Sequence, residues 1–156
     1  MKKRLNVITK LLKITGVSIS TAESCTGGLL SVFLTSAAGS SRYFKGAVVA
    51  YDNDAKISLL KVPKKALTCH SAVSKEVALL MARGVKKIFN TDISVGITGI
   101  AGPGGGTDKK PAGLVYISAI RGNRKITARF DFKGTRTAIR RKAAYAALDI
   151  IGELLE

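Results

Sequence analysis

The stretch TAESCTGG, residues 21–28, sets a carboxylate, hydroxyls, a thiol and a glycine pair side by side. Neither a core helix nor a buried strand needs that mixture. The chemistry it offers is nucleophilic: Ser24 or Cys25 attacks an electrophilic carbon while neighbouring backbone N–H groups take up the oxyanion. The plainer structural alternative makes Ser24 or Thr26 a helix N-cap and lets Gly27 and Gly28 bring a helix close.

A serine nucleophile needs a base. The chain has one histidine, His70, in the loop CHSAVS, and a lone loop histidine reads first as a structural or surface residue. A lysine serves instead when burial or a nearby cation lowers its pKa enough to supply the neutral amine. Lys56 in AYDNDAK is best placed, about one helical turn past a strand end, and Tyr51 at that strand end can both donate and accept a hydrogen bond. Cys25 is the rival nucleophile, because a thiol at a helix N-terminus ionises more readily. It is also a common small core residue. Adjacent residues at a turn point in different directions, so Ser24 and Cys25 do not share the role.

The second constellation is GITGIAGPGGGTDKKPAG, residues 96–113. No Gly-Lys-Ser/Thr closes it as a Walker A loop, and Pro103 and Pro111 preclude a glycine-rich turn opening a helix. Consecutive glycines can still turn N–H groups inward as an anion nest. The stretch Gly99 to Thr107 is therefore expected to hold an anionic group, with Arg136 and Arg140 as secondary candidates. One histidine, two distant cysteines and ten acids without ligand spacing give no metal site.

These residues need elements to position them. MKKRLNVITKLLKITG starts with positive charge as a secretory signal would, but Lys10 and Lys13 break its apolar part and no cleavage site follows. Leu5, Ile8, Leu11 and Leu12 instead predict an amphipathic helix capped by Gly16. GVSIST reads as a short strand, and TAESCTGGLLSVFLTSA as a turn running into an apolar helix. FKGAVVAY is a β-branched strand, followed by a short helix around DNDAKISLLK that stops at Pro63. KALTCHSAV reads as a loop leading to Ser74, an N-cap for a helix that sets Val77, Leu80, Met81 and Ile88 on one face.

DISVGIT is an inner strand. LVYISAI and KITARFDF form a hairpin across RGN. Thr135 or Thr137 starts the last helix, with Ile139, Ala143, Ala147, Ile150 and Leu154 as its apolar stripe. The alternation of strands and helices predicts a largely parallel sheet covered on both faces, with at least one antiparallel strand added by the final hairpin. Strand-to-helix turns then lie at the carboxyl edge of the sheet, where such proteins bind ligands. The reading is of one domain over residues 1–156.

Composition bounds the function. The 26 Lys and Arg against 10 Asp and Glu give a formal net charge of +16. That permits an anionic small molecule, nucleic acid or a membrane surface as partner. The basic residues occur in short scattered groups (KKR, PKK, VKK, NRK, RRK) and not in one tail or helix face, which argues against nucleic acid. No apolar run approaches the about 18 residues of a membrane span. Two cysteines form no disulfide framework, so a reducing, cytoplasmic location is expected.

Taken together, TAESCTGG, GAVVAYDNDAK, HSAVS and TGIAGPGGGTDKKPAG resemble the C-terminal domain of CinA, a family of nicotinamide mononucleotide deamidases. The resemblance runs over nearly all of the chain. It implies an α/β fold of three layers, α/β/α, with a five-stranded mixed sheet in the order 2-1-3-4-5 and strand 4 antiparallel. It implies an amidohydrolase that converts nicotinamide mononucleotide to nicotinic acid mononucleotide and ammonia. Ser24 falls at the nucleophile, Lys56 at the base and Tyr51 at its hydrogen-bonding partner. Cys25, Thr26, Gly27, Thr98, Gly99, Ala101, Gly102, Gly105 and Arg140 fall at substrate-binding positions.

No metal or cofactor is implied, the partner is an anionic pyridine nucleotide, and a homo-oligomer is expected. Gly104 stands where the family usually has Asp, Ser71 where it has Gly, and Leu114 where it has Thr. Many relatives carry a further N-terminal nucleotide-processing domain, whose activity is not expected of these residues. The competing class is a noncatalytic basic module that holds a nucleotide or nucleic acid. It accounts for the charge but leaves Ser24, Tyr51 and Lys56 without a purpose.

Overall fold

The computed structural model describes residues 2–156. Its five strands are β1 (Ile19–Glu23), β2 (Phe44–Val49), β3 (Ile93–Gly99), β4 (Leu114–Arg121) and β5 (Arg124–Asp131). They form one sheet in the order β2-β1-β3-β4-β5. β1 runs parallel to both β2 and β3, whereas β4 is antiparallel to β3 and to β5. Order and direction agree with the fold expected from the resemblance.

The carboxyl ends of β1, β2 and β3 consequently share one edge, since Glu23 pairs with Val49 on one side and Ile97 on the other. The central strands are buried along almost their whole length. Edge strand β5 alternates exposed and half-buried residues, with Arg124, Lys125, Arg129 and Asp131 outward. Charge on an edge discourages pairing with a further strand.

Two helical layers cover the sheet. On one face lie α1 (Lys2–Thr15), α2 (Leu29–Thr35) and α6 (Arg136–Leu155). Leu12, Leu34 and the α6 stripe Ile139, Ala143, Ala147, Ile150 and Leu154 close the larger core against Ile19, Val95 and Ile117. Gly16, at φ 66°, turns the chain out of α1, and the Thr135 hydroxyl accepts the Ala138 N–H at the start of α6. Both helix ends fall where the sequence set them.

On the other face α5 (Lys75–Phe89) packs with Val77, Met81 and Val85 in the smaller core. It comes unusually close: a Cβ on Gly96 would stand 2.2 Å from the Ala78 carbonyl oxygen, and one on Gly84 2.2 Å from that of Leu60. The small residues Ser20, Ser94 and Gly96 therefore serve the approach of α5. Ile88 is a correction to the expected apolar face, since it is about half exposed near the end of the helix.

The remaining helices, α3 (Asn53–Ser58) and α4 (Lys64–His70), connect β2 to α5. α4 replaces the loop expected at KALTCHSAV. The Pro63 carbonyl starts it by accepting from the Ala66 and Leu67 N–H groups, with Pro63 itself the extended N-cap. Thr68 and Cys69, weak helix formers, had hidden it.

Three salt bridges occur among the described residues, Arg4–Asp149, Lys75–Glu76 and Arg129–Asp131, all with solvent-accessible side chains. No described helix is long and apolar enough to cross a membrane.

Candidate active site

The turn after β1 begins at Ser24, whose N–H donates to the Ile97 carbonyl of β3 at 3.0 Å. Gly27 and Gly28, at φ 59° and 92°, carry the chain through a left-handed bend before α2. The helix thus starts at Leu29, five residues beyond Ser24, with Gly28 as its N-cap. Ser24 and Thr26 do not cap it.

A glycine cap has no side chain to offer the first N–H groups of α2, and Glu23 takes that part. Its carboxylate, wholly buried, accepts the Leu30 N–H at 3.1 Å, the Ser31 N–H at 2.9 Å and the Ser31 hydroxyl at 2.6 Å. Negative charge at a helix N-terminus is favoured by unpaired N–H groups and the helix dipole. Sequence reasoning missed this role. The available signal was an apolar helix opening behind two glycines with one buried-strand acid just upstream.

β2 ends beside this turn, where the Ala50 N–H donates to the Glu23 carbonyl at 2.9 Å. Asp52 caps α3 by accepting the Ala55 N–H at 2.7 Å. Helical side chains lean toward the N-terminus, and Lys56 folds back along α3 to the two carbonyls that precede it. Its Nζ donates to the Tyr51 oxygen at 3.2 Å and to the Asp52 oxygen at 3.1 Å. The side chain is only 2% exposed. Burial holds the ammonium below its ordinary value of 10.5, against the smaller opposing pull of Asp52 and Cys25.

Ser24, 7% exposed, directs its hydroxyl to the same Tyr51 carbonyl at 3.5 Å. Ser24 and Lys56 are thus brought together around one main-chain oxygen. Tyr51 itself is 58% exposed. Its hydroxyl accepts a hydrogen bond from Arg136 at 2.6 Å, while the other end of that guanidinium donates to the Gly102 carbonyl at 2.9 Å.

Cys25 is 5% exposed and belongs to the larger core. Burial pushes its thiol up to about 12, although the backbone N–H groups of Cys25 and Thr26 partly favour the thiolate. A thiol at that value is protonated at neutral pH.

A cleft of about 240 Å³ joins the turn to the glycine-rich loop. It is bounded by Ser24, Cys25 and Tyr51 on one side and by Gly99, Ala101, Gly102 and Gly105 on the other. Thr26, Gly27, Thr98, Lys56 and Arg140 stand behind this lining. Thr98 donates to the Ala72 carbonyl at 2.7 Å, and Arg140 donates to the Thr26 carbonyl through Nε at 3.2 Å and a terminal nitrogen at 2.8 Å. The Gly27 N–H is already bonded to the Ser24 carbonyl at 3.0 Å. Gly104 also borders the cleft, and a side chain there would extend into open space.

The loop is fastened at its far end by Lys110, which donates to the His70 carbonyl at 3.2 Å, the Val73 carbonyl at 2.9 Å and the Ser71 hydroxyl. Ser71 sits at φ 66° and ψ 162°, a conformation essentially reserved for glycine. Here the resemblance and the geometry meet, since glycine is the residue implied for that position. No three His, Cys, Asp or Glu side chains gather as a metal-ligand set among the described residues.

The chain matches the family of the CinA C-terminal domain over residues 1–155. A CinA-like protein of Kosmotoga olearia is 44% identical over 96% of this chain, and one of Syntrophomonas wolfei 48% identical over 94%. The match covers 36% and 35% of those two proteins, so the chain spans about a third of the length of the curated relatives it matches. The crystal structure of competence/damage inducible protein CihA from Agrobacterium tumefaciens superposes with a TM-score of 0.96 at 38% identity, covering 99% of this chain and 94% of that one. A CinA superfamily protein from Klebsiella pneumoniae gives a TM-score of 0.94 at 33% identity, with 98% and 96% covered.

Proposed function

Because the chain belongs to the CinA C-terminal domain family, we propose that it is an amidohydrolase that deamidates nicotinamide mononucleotide to nicotinic acid mononucleotide, with Ser24 as nucleophile and Lys56 as base. The observation that carries this reading is the convergence of Ser24 Oγ and Lys56 Nζ on the Tyr51 carbonyl at the edge of a cleft. Removing an ammonium from water is costly, and the lowered pKa reduces that cost by favouring the neutral amine a base requires.

In the neutral state Lys56 has two N–H bonds, matching the two carbonyls of Tyr51 and Asp52. Its lone pair is then left for the Ser24 proton. Ser24 Oγ attacks the carboxamide carbon, which the pyridinium ring makes electron-poor. The oxyanion that forms is met by backbone N–H donors that border the cleft beside Ser24. The intermediate collapses as the C–N bond breaks, and the proton on Lys56 passes to the leaving nitrogen to give ammonia. Water adds to the acyl-serine as Lys56 takes its proton, the C–Oγ bond then breaks, and Lys56 returns the proton to Ser24 Oγ as the acid leaves. Every proton is accounted for by Lys56, water and substrate, so the cycle needs no cofactor.

The glycine-rich loop is the part suited to the substrate's phosphate. Gly104 and Gly105 border the cleft, their N–H groups donate to no protein acceptor among the described residues, and neither brings a side chain to block an anion. The basic surface raises the local concentration of such an anion. The testing measurement is ammonia release from nicotinamide mononucleotide by the purified protein and by Ser24→Ala. Turnover by the wild type that falls by about a thousandfold or more in the variant supports the reading. Absence of turnover in the wild type, or an undiminished rate in folded Ser24→Ala, overturns it.

A further inference from the structure

The two arginines of α6 closest to the cleft, Arg136 and Arg140, lie one helical turn apart, and each is tied to a different piece of it. Arg140 places two N–H groups on the Thr26 carbonyl, in the turn that carries Ser24. A Cβ added to Gly27 would stand 3.2 Å from the same guanidinium, so the turn is fitted closely around it. Arg136 spans the mouth, one terminal nitrogen on the Gly102 carbonyl and the other on the Tyr51 hydroxyl. We propose that Arg136 and Arg140 are positioning residues: α6 uses them as two struts that fix the serine turn, the glycine-rich loop and the Tyr51 ring at working separation, and neither is the anchor for the substrate's phosphate. This rests on the amidohydrolase reading and extends it.

Three observations carry the inference. Strong arginine–phosphate recognition presents two parallel N–H groups to two oxygens. Arg136 has its terminal nitrogens committed to two acceptors on separate segments, and Arg140 has Nε and a terminal nitrogen committed to one carbonyl. Each guanidinium thus spends two of its five N–H groups on the protein, and a phosphate would have to bind through the remaining three while those bonds hold the group in place. The base of the struts is rigid, because Ile139 and Ala143 beside them are buried in the larger core. Finally, the Tyr51 ring is largely exposed and has little else to orient it. By accepting from Arg136, its hydroxyl keeps its own proton to donate into the cleft.

The test compares Arg136→Gln and Arg140→Gln on nicotinamide mononucleotide and on its dephosphorylated nucleoside, nicotinamide riboside. Struts act on geometry, so kcat should fall by about tenfold or more on both substrates alike, with KM for the nucleotide moving less than about threefold. An increase in nucleotide KM of about tenfold or more in either variant, with the nucleoside unaffected, makes that arginine a phosphate anchor and overturns the proposal. Hydrogen exchange on the unliganded protein provides a readout that does not require turnover. Arg140→Gln should speed exchange in residues 24–30, and Arg136→Gln in residues 50–53 and 99–107, with α5 unchanged in both. Unchanged exchange in those segments overturns the struts even if the wild type proves inactive on both substrates. Should Arg140→Gln fail to fold, Arg140→Lys retains one donor and is expected to show an intermediate effect on exchange.

Discussion

Ser24 and Lys56 share an acceptor: the carbonyl oxygen of Tyr51 lies 3.5 Å from Ser24 Oγ and 3.2 Å from Lys56 Nζ. The Tyr51 side chain stands outside this triangle. Tyr51→Phe therefore leaves the shared oxygen in place and removes only the hydroxyl that Arg136 holds.

The first prediction concerns pH. Lys56 is the base only when neutral, and burial lowers its pKa from 10.5. The rate should rise with pH and level off above the lowered value, below 10.5. A kcat/KM profile that climbs only as pH approaches 10.5 would remove burial from the account. The same shift has a sign for stability. Unfolded lysine binds its proton first as pH falls from 10.5, so the contribution of Lys56 becomes less favourable through the window down to the folded value.

Alkylation separates the two cysteines. Cys69 is exposed, whereas Cys25 is buried with its thiol pushed up to about 12. Iodoacetamide at neutral pH should add one group, on Cys69, and leave turnover intact. Mass spectrometry showing modification of Cys25 with parallel loss of activity would return the thiol to candidacy as the nucleophile.

Ser71→Gly should make the protein more stable. Strain at such a φ/ψ costs on the order of 1–3 kcal/mol, partly offset here by the hydrogen bond from Lys110 to the serine hydroxyl. A net gain of about 1 kcal/mol is expected from urea unfolding. A loss of stability would mean that the Lys110 contact outweighs the strain.

Glu23→Ala should cost about 2–4 kcal/mol, because it leaves two N–H groups and a hydroxyl of α2 without their buried acceptor. Glu23→Gln keeps one oxygen and should lose less. Urea denaturation of both variants decides the matter, and equal stability of Glu23→Ala and wild type would show that Glu23 does not hold α2.

The parts of the site legible in the sequence were those written in side chains at the ends of strands. Tyr51 and Lys56 follow β2 closely, Ser24 follows β1, and parallel neighbours must bring those ends to one edge. The β4–β5 hairpin was legible from two strand-like runs joined by the short turn RGN, and the family motifs supplied the strand order. Main-chain partnerships left no such trace. Nothing in the letters says that Lys56 will turn back to the Tyr51 carbonyl, or that Arg140 will reach the Thr26 carbonyl more than a hundred residues away. The letters group Glu23 with hydroxyls and a thiol, whereas its carboxylate accepts from two N–H groups and a hydroxyl of a helix that starts six residues later. α4 was missed because poor local propensity was outweighed by the Pro63 start and by packing of Ala66 and Leu67 against the smaller core.

The shortage of ion pairs has a consequence of its own. Among the described residues, three accessible pairs engage only Arg4, Lys75 and Arg129 of the many Lys and Arg. Most of the excess charge must be balanced by mobile ions, so an ionic atmosphere surrounds the native state as its main counter-charge. Dilution into low salt lengthens the screening distance to about 30 Å at 0.01 M, bringing the whole basic surface into mutual repulsion. Added salt weakens three surface pairs of small worth while relieving that repulsion across the molecule. The protein is thus built to hold together better in salty water than in fresh, and the salt that steadies its fold is the same salt that competes with an anionic substrate for its surface.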